Sequence, residues 1–156
     1  MRFRYALIFL LSTFCFSTPS TAQAGNSPIS LATARQLSEQ AFLCAKEKGI
    51  FIAVAVVNTE GNLMLLERHE NAYTGSIEAS VEKAKSANAF RRSTQDFATS
   101  LQDGRLDLLT LKGIVAIAGG VPIKTPQNTL LGAIGISGGR SSEDHACALQ
   151  AIAHLK

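Results

Sequence analysis

Residues 130–146 read LLGAIGISGGRSSEDHA, and the interpretation of this stretch decides the fold. The residue pattern from Thr129 to Ser137 alternates as in a β-strand. We therefore predict that the last and longest strand spans residues 129–137. The pair Gly138–Gly139 follows as a tight corner, because glycine adopts backbone angles that other residues avoid. A final helix then begins at Ser141 or Ser142 and reaches Leu155.

The same glycines could suggest a dinucleotide-binding loop or a catalytic serine, but the sequence lacks features that each of these motifs requires. A dinucleotide-binding loop needs G-x-G-x-x-G at the start of the helix in a βαβ unit, and the glycines here are spaced differently. A nucleophile at Ser137, in the G-x-S-x-G pattern, needs a histidine base that is oriented by an acid. Asp144 and His145 are helix neighbours and cannot face each other, because facing residues lie three or four positions apart. The stretch therefore predicts a thinned sheet face that a helix or a flat ligand can approach.

The start of the final helix leaves a further alternative open. Ser141 with Asp144 resembles a capping box, in which a helix satisfies its own first N–H groups. If these N–H groups were left open, they would attract a carboxylate or another anion. An oligomeric protein that binds a small organic acid is therefore an alternative function.

The other elements follow from hydrophobic periodicity, capping signals and turns. Neighbouring strands are joined by short turns, so they pair antiparallel. The pattern predicts one α+β domain with a five-stranded, mainly antiparallel sheet flanked by helices, in the order α-β-β-α-α-β-β-β-α. Besides the final helix, the expected helices span 31–48, 74–90 and 93–101, and the expected strands span 50–58, 63–70, 114–117, 121–124 and 129–137.

The first 24 residues have the pattern of a secretory signal peptide. Arg2 and Arg4 precede an apolar run from Tyr5 to Phe16, and a small-x-small pattern ends at Ala24. The run is shorter than the about 20 residues that span a bilayer. We therefore expect cleavage after Ala24, export to the periplasm or the extracellular space, no stable membrane insertion after processing, and a single domain over residues 25–156.

Charge argues against a nucleic-acid surface. The chain has 15 basic and 12 acidic residues, and loss of Arg2 and Arg4 with the signal leaves 13 basic residues. Nucleic-acid binding requires clustered lysines and arginines, which the nearly neutral mature chain lacks. We expect a small-molecule partner and no nucleic-acid partner.

Two cysteines, Cys44 and Cys147, remain after processing. An exported protein meets an oxidising environment, in which a disulfide persists. The two residues can form a disulfide if their helices pack side by side. The alternative is two separately buried thiols, because free cysteine is often a core residue.

Three segments of the mature chain resemble a known family: VAVVNTEGNLMLLERHENA, SVEKAKSANAFRRSTQDFA and AIAGGVPIK…LLGAIGISGGRSSEDHACA. Together they resemble the GlcG/HbpS-like haem-binding family, whose members are similar to the C-terminal domain of PduO-type corrinoid adenosyltransferases. The resemblance implies a five-stranded antiparallel sheet of the profilin/PAS-like type, homo-oligomers, and haem binding, haem-linked redox sensing or haem degradation. The resemblance does not identify the axial ligand of the haem iron. This chain also departs from many relatives, because it has His69-Glu70 where they have Met-Asp.

From this resemblance we predict a haem site. Haem requires an apolar surface, an axial donor and cations near its propionates. His69 and His145 are alternative iron ligands, and His154, Met64 and Tyr73 are further donors. The predicted cofactor-binding residues are His69, Arg91, Gly119, Gly120, Gly138, Gly139 and His145, with Arg92 and Arg140 as additional cations. We expect Lys83 to be solvated, no catalytic residue, and no zinc site, because two histidines at ligand spacing and a Cys-x-x-Cys motif are both absent from the sequence.

The sequence thus predicts an exported, oligomeric protein that binds haem or a similar planar tetrapyrrole. Its expected role is accessory or redox sensing rather than fast catalysis. The enzymatic alternative is a haem-degrading or other oxidoreductase-like activity, and the non-enzymatic alternative is the organic-acid binder described above.

Overall fold

A computed structural model describes residues 29–155 of the chain, so the predicted signal peptide over residues 1–24 lies outside the described residues. Two of the helices begin directly after a serine whose side chain caps them. Ser30 accepts a hydrogen bond from the Thr33 N–H group, and Ser93 accepts one from Gln95. The helices are α1 (Leu31–Lys48), α2 (Gly75–Phe90), α3 (Thr94–Gln102) and α4 (Ser141–Ala153), and the strands are β1 (Ala53–Asn58), β2 (Leu63–Arg68), β3 (Gly120–Lys124) and β4 (Leu130–Ser137).

The strands form one antiparallel sheet in the order β2-β1-β4-β3. The long strand β4 lies in the interior of the sheet, where Gly135 pairs with Ala55 of β1 and with Gly120 of β3. Because the strands are antiparallel, one end of the sheet collects the carboxyl ends of β2 and β4 and the amino ends of β1 and β3. We call this the glycine end of the sheet, because Gly119, Gly120, Gly138 and Gly139 lie there.

The predicted five-stranded sheet is wrong, and the sheet has four strands within residues 29–155. The segment 114–117 forms no strand, and a short 3₁₀ helix (Leu106–Thr110) precedes it. The Val115 N–H group donates a hydrogen bond of 2.9 Å to the Ser86 hydroxyl of α2. This donor is therefore satisfied by a helix side chain, and the chain joins the sheet only at Gly120. The local sequence pattern predicted a strand here, but the tertiary contact with Ser86 overrides it, because strand formation depends strongly on its surroundings.

Helices cover both faces of the sheet. Helices α1 and α4 pack on one face, and α2 packs on the other. The larger core lies under α1 and α4 and contains alternate residues of the central strands, among them Val54, Val56, Ile134 and Ile136. No helix within residues 29–155 is both long enough and apolar enough to cross a membrane.

Helix α2 lies unusually close to the sheet because two strand glycines face it. A Cβ at Gly135 would overlap the Ser80 carbonyl oxygen, and a Cβ at Gly120 would overlap that of Lys83. The missing side chains thus allow backbone-to-backbone packing, as the sequence predicted for this thinned face. The buried stripe of the helix is small and partly polar, and it comprises Ser76, Ser80, Lys83, Ala84, Ser86, Ala87 and Asn88. Ala84 and Ala87 are completely buried, whereas the larger Ile77 and Val81 are only half-buried.

A disulfide between Cys44 and Cys147 joins α1 to α4. Their Cα atoms lie 5.4 Å apart, and both residues are completely buried. The structure therefore favours the disulfide over two separate thiols. Because the partners are 103 positions apart in sequence, the bond links the two ends of the domain.

Candidate functional site

The corner after β4 is built by close backbone approach. Gly138 has φ of 146°, and a Cβ there would overlap the Phe51 carbonyl oxygen and lie 2.8 Å from the Ile52 Cα. Only glycine satisfies both conditions, since L side chains rarely adopt this conformation. The corner therefore turns the chain from β4 into α4 while it packs against the segment that enters β1.

The first N–H groups around α4 are occupied by acidic side chains of the helix itself. The Gly139 N–H group donates to Asp144 Oδ1 at 2.9 Å, and the Arg140 N–H group donates to Glu143 Oε2 at 2.8 Å. The expected capping pair of Ser141 and Asp144 is wrong, because Arg140 is the N-cap and Glu143 supplies the reciprocal hydrogen bond. The organic-acid alternative needed open N–H groups here, and the groups of Gly139 and Arg140 are already engaged.

A buried ion pair lies beside this corner. Lys83 Nζ donates to Asp144 Oδ2 at 3.0 Å and to the Ile136 carbonyl oxygen at 2.9 Å. The side chains are only 4% and 2% exposed, so the expectation that Lys83 is solvated is wrong. Gly119 makes room for the pair, because a Cβ there would lie 2.9 Å from Lys83 Nζ.

Burial raises the pKa of Asp144, whereas the Lys83 ammonium and the backbone N–H group of Gly139 act in the opposite direction. Desolvation penalises a charged carboxylate, and an opposite charge at hydrogen-bond distance offsets that penalty. The Asp144 carboxylate is fully engaged by Lys83 and Gly139. It is therefore not available to orient His145 as a catalytic base for Ser137.

His145 occupies the first turn of α4 and is half-buried. Its Nδ1 atom is shielded from solvent and has no hydrogen-bond partner among the described residues. Burial lowers the pKa of His145, and the Asp96 carboxylate of α3 partly counteracts this effect. The ring is therefore neutral over a wider pH range than an exposed histidine, as a helix N-terminus also favours.

His69 follows β2 at the glycine end of the sheet. Its ring packs on Phe51 with a centroid distance of 4.5 Å and an interplanar angle of 32°. The backbone N–H group of Asn71 donates to the ring atom His69 Nδ1 at 3.1 Å. The backbone N–H group of His69 donates to the Ile52 carbonyl oxygen at 3.0 Å. Because Nδ1 accepts a hydrogen bond, a neutral His69 carries its proton on Nε2 in this arrangement.

An apolar cavity of about 480 Å³ adjoins His69. We call it the Phe51 recess. It lies between the carboxyl-terminal half of α1 and the segment that enters β1, and its size is within the usual range for small-molecule sites. Its lining combines apolar side chains with one imidazole and one ammonium group: Phe42, Ala45, Lys46, Gly49, Ile50, Phe51 and His69. A smaller hollow of about 220 Å³ shares Phe51 and is lined in addition by Tyr73 and Gly138.

The structure gathers most predicted site residues at the glycine end but does not bring the two histidines together. His69 follows the outer strand β2. Asp144, next to His145, packs against Gly119 just before the other outer strand, β3. Two strands separate these positions, which corresponds to about 14 Å at the usual strand spacing. His69 and His145 are therefore well separated within one chain, and they stay alternative candidates for the iron ligand.

Arg91 lies apart from the other predicted residues. It is the exposed C-cap of α2 and lines a hollow with residues of the β1–β2 turn, at the opposite end of the sheet. His154 lines a different hollow beside α1, and Met64 packs against the core. Tyr73 is 77% exposed next to Gly138, and Arg92 and Arg140 are exposed.

Two features of the site were missed by sequence reasoning. Lys83 lies three residues after Ser80 and four before Ala87, so helical periodicity places it on the buried stripe of α2. The burial of Lys83 could therefore have been predicted from its place in this stripe of small residues. The role of Phe51 could not be predicted from the sequence, because it depends on how the segment before β1 packs against Gly138 and His69.

These observations define the class of protein: a small α+β domain whose four-stranded antiparallel sheet is covered by helices on both faces, with an apolar recess at one end. Residues 29–153 match the family model described as haem degrading protein HbpS-like, and the chain therefore belongs to the HbpS-like family. The predicted family membership is confirmed.

Individual comparisons agree with the family. The chain is 30% identical over 128 residues to an uncharacterised 15.0 kDa protein from the dhaT–dhaS intergenic region of Citrobacter freundii, a match that covers 80% of this chain and 89% of that protein. It is similar to the crystal structure of a PduOC–haem complex, with a TM-score of 0.74, 26% identity, and coverage of 83% of this chain and 96% of that one. The crystal structure of HbpS gives a TM-score of 0.76 at 25% identity and covers 90% and 99%. Haem, the predicted cofactor, is thus confirmed at the level of the family.

Proposed function

We propose that this protein binds haem in the Phe51 recess, with His69 as the axial donor. The observation that carries the proposal is the composition of the recess: an aromatic and aliphatic lining with an imidazole and an ammonium group on it. A porphyrin needs an apolar surface, a nitrogen ligand for its iron and a cation near its propionates. Phe42, Ile50 and Phe51 supply the surface, His69 the nitrogen, and Lys46 the cation.

The hydrogen bond that His69 Nδ1 accepts limits how His69 can bind the haem iron. Metal-bound histidines usually carry a proton on the nitrogen that faces away from the metal and donate it to a partner. In His69 that nitrogen accepts from the Asn71 N–H group instead. Ligation through Nε2 therefore requires the Asn71 contact to open, so that Nδ1 can hold the ring proton. Bound haem would supply redox chemistry at its iron, and the chain would supply the apolar enclosure and the donor.

Titration of haem into purified residues 25–156 tests the proposal. We expect a saturable Soret shift with a dissociation constant below about 100 µM, which corresponds to about 5.5 kcal/mol. His69→Ala should weaken binding and change the iron spectrum, whereas the matched variant His154→Ala should leave both unchanged. The proposal fails if no saturation occurs, or if His69→Ala and the parent protein give the same spectrum and affinity.

Export and an accessory or redox-sensing role are parts of the same proposal. The buried disulfide supports export, because disulfides persist in oxidising compartments and are rare in the cytosol. A signal peptide over residues 1–24 would supply the route. Expression of the full chain with its amino terminus intact should give a secreted or periplasmic product that begins at Gly25. A cytosolic product with an uncleaved amino terminus would contradict this part.

Haem degradation is a second candidate function, favoured by the description of the family as haem degrading. It predicts that the Soret band of the complex decays when a reductant and oxygen are added, with release of iron and formation of an open-chain pigment. A binding or sensing protein predicts a Soret band that changes position on reduction and persists in air.

A further inference from the structure

We propose that a hollow at the end of the sheet opposite to the glycine end binds a free α-amino acid. The hollow lies between the turn that joins β1 to β2, the carboxyl-terminal end of α2 and the start of β4. Its volume is about 410 Å³, which is within the usual range for small-molecule sites. We call it the Asn88 hollow, and the lining residues that matter for its chemistry are Glu60, Asn88, Arg91 and Leu130.

A buried amide in this lining has one atom without a partner. Asn88 is only 6% exposed, and its Oδ1 atom accepts no hydrogen bond from the described residues. The other amide atom, Nδ2, donates to the Thr59 carbonyl oxygen at 3.1 Å. The reversed orientation of the amide would place two acceptors against each other, so this hydrogen bond fixes Oδ1 as the unpaired atom. Because an unpaired buried acceptor costs free energy, a ligand that presents an N–H or O–H donor is favoured here.

The hollow also presents a cation that the chain does not neutralise. Arg91 is exposed and forms no ion pair with any residue between 29 and 155. Lys85 lines the same hollow, but its ammonium is already paired with Glu82 at 2.9 Å. A guanidinium group binds a carboxylate through two parallel hydrogen bonds. Arg91 therefore provides the position for the carboxylate of a ligand.

A negative charge and a helix end favour a positive group in the same hollow. Glu60 is exposed, and its carboxylate accepts a hydrogen bond of 2.7 Å from the Thr59 hydroxyl but forms no ion pair with the described residues. Arg91 is the C-cap of α2, so the hollow lies at the negative end of the dipole of this helix. An ammonium group bound here would interact with both charges and would supply the donor that Asn88 Oδ1 lacks.

These requirements together identify the class of ligand. An α-amino acid carries a carboxylate for Arg91 and, on the adjacent carbon, an ammonium group for Asn88 Oδ1 and Glu60. The half-buried Leu130 provides apolar surface for an aliphatic side chain. A carboxylic acid without a donor would leave Asn88 Oδ1 unpaired, and a site with unpaired polar groups discriminates strongly against such an analogue. A hydroxy acid would supply the donor but no positive charge for Glu60.

Three acids with the same carbon skeleton test the proposal by isothermal titration of haem-free residues 25–156: L-leucine, L-2-hydroxy-4-methylpentanoate and 4-methylpentanoate. We expect L-leucine to bind with a dissociation constant below about 1 mM. The hydroxy acid should bind at least about threefold more weakly because it lacks the ammonium charge. 4-Methylpentanoate should bind at least about tenfold more weakly than L-leucine, because it also lacks the donor for Asn88.

Variants separate the two ends of the ligand. Arg91→Gln should weaken L-leucine binding by about tenfold or more. Arg35→Gln, the matched control, makes the same change at an exposed position of α1 and should have no effect. Asn88→Ala should abolish the preference for L-leucine over 4-methylpentanoate while 4-methylpentanoate binds as it does to the parent protein. Circular dichroism of each variant establishes that the fold is retained, and the exposed Arg91 provides a test that does not alter the buried amide.

The inference is overturned if L-leucine shows no saturable binding up to about 10 mM, a limit well beyond the affinity expected. It is also overturned if either analogue binds as tightly as L-leucine, or if R91Q and R35Q bind L-leucine equally well. The inference is independent of the haem proposal, because the Asn88 hollow and the Phe51 recess share no lining residue. Failure of the leucine titration would therefore leave the haem titration untouched.

Discussion

The Lys83 ammonium and the Asp144 carboxylate lie 3.0 Å apart with both side chains almost completely buried. They come from helices on opposite faces of the sheet, and they meet at its glycine end because Gly119 has no side chain to separate them. The same Lys83 ammonium binds the Ile136 carbonyl oxygen at the start of the β3–β4 pairing. The pair thus fixes α2, α4 and β4 to one another beside the candidate site.

Breaking this ion pair should be costly. Lys83→Met leaves the Asp144 carboxylate buried without its cation, and such a change costs about 3–5 kcal/mol of unfolding free energy. In the double variant K83M/D144N most of this loss should be recovered, because a neutral amide can still accept the Gly139 hydrogen bond. Urea unfolding measures both effects. Lys85→Ala breaks the exposed pair with Glu82 and should cost less than about 1 kcal/mol. A K83M protein as stable as K85A would contradict the assignment.

His145 should make stability depend on pH. Burial holds the pKa of His145 below its ordinary value of about 6.5. Between the lowered folded value and that of the unfolded chain, the unfolded state binds more protons, so the stability that His145 contributes is lost as pH falls through this window. Urea midpoints at pH 7.5 and 5.5 should differ less in His145→Gln than in the parent protein. His154→Gln, a change at an exposed residue near the end of α4, should retain the parent difference. Equal pH dependence in all three proteins would refute the prediction.

Gly135 should not tolerate a side chain. Alanine at this position overlaps the Ser80 carbonyl oxygen and places Cβ 2.6 Å from the Ala84 nitrogen, so α2 would have to move off the sheet. We expect Gly135→Ala to cost about 1–3 kcal/mol, the usual range for overpacking. Gly75→Ala meets nothing within 4 Å and should be neutral or slightly stabilising, which makes it the control. Thermal or urea unfolding distinguishes the two, and an unperturbed G135A protein would show that the packing is looser than described.

The disulfide should contribute a large share of the stability. It closes a loop of about a hundred residues and is completely buried. The double variant C44A/C147A should therefore lose about 2–5 kcal/mol of unfolding free energy. Thiol titration of denatured residues 25–156 should find no free thiol before reduction and two after it. Two reactive thiols in the unreduced protein would contradict the bond between Cys44 and Cys147.

Much of the fold could be predicted from local signals. The helices α1 and α3, the strand β1 and the passage from strand to corner to helix after Leu130 are all properties of short segments, and each is found near its expected bounds. The segment 114–117 was misassigned because strand formation depends on a neighbour with free backbone groups. Its Val115 donor is taken by Ser86, a residue whose position depends on the tertiary packing of α2.

The candidate site was predicted less completely than the fold. Glycines and histidines are conspicuous in sequence, and Gly119, Gly138 and His69 do lie at one end of the sheet. The residues that give this end its chemistry were not conspicuous. Burial of Lys83 depends on the approach of α2 to glycine backbone, and the Phe51 recess depends on how the entry to β1 packs under His69. Arg91 was grouped with the site by its charge alone, and the length of the strands separates it.

The position of haem in a crystal structure of the complex tests the central claim most directly. We expect a porphyrin in the Phe51 recess, in contact with Phe42 and Phe51, with its iron bound to His69 Nε2 and the hydrogen bond from the Asn71 N–H group to His69 Nδ1 opened. A porphyrin bound elsewhere, with the recess empty and His69 still hydrogen-bonded to the Asn71 N–H group, would contradict it.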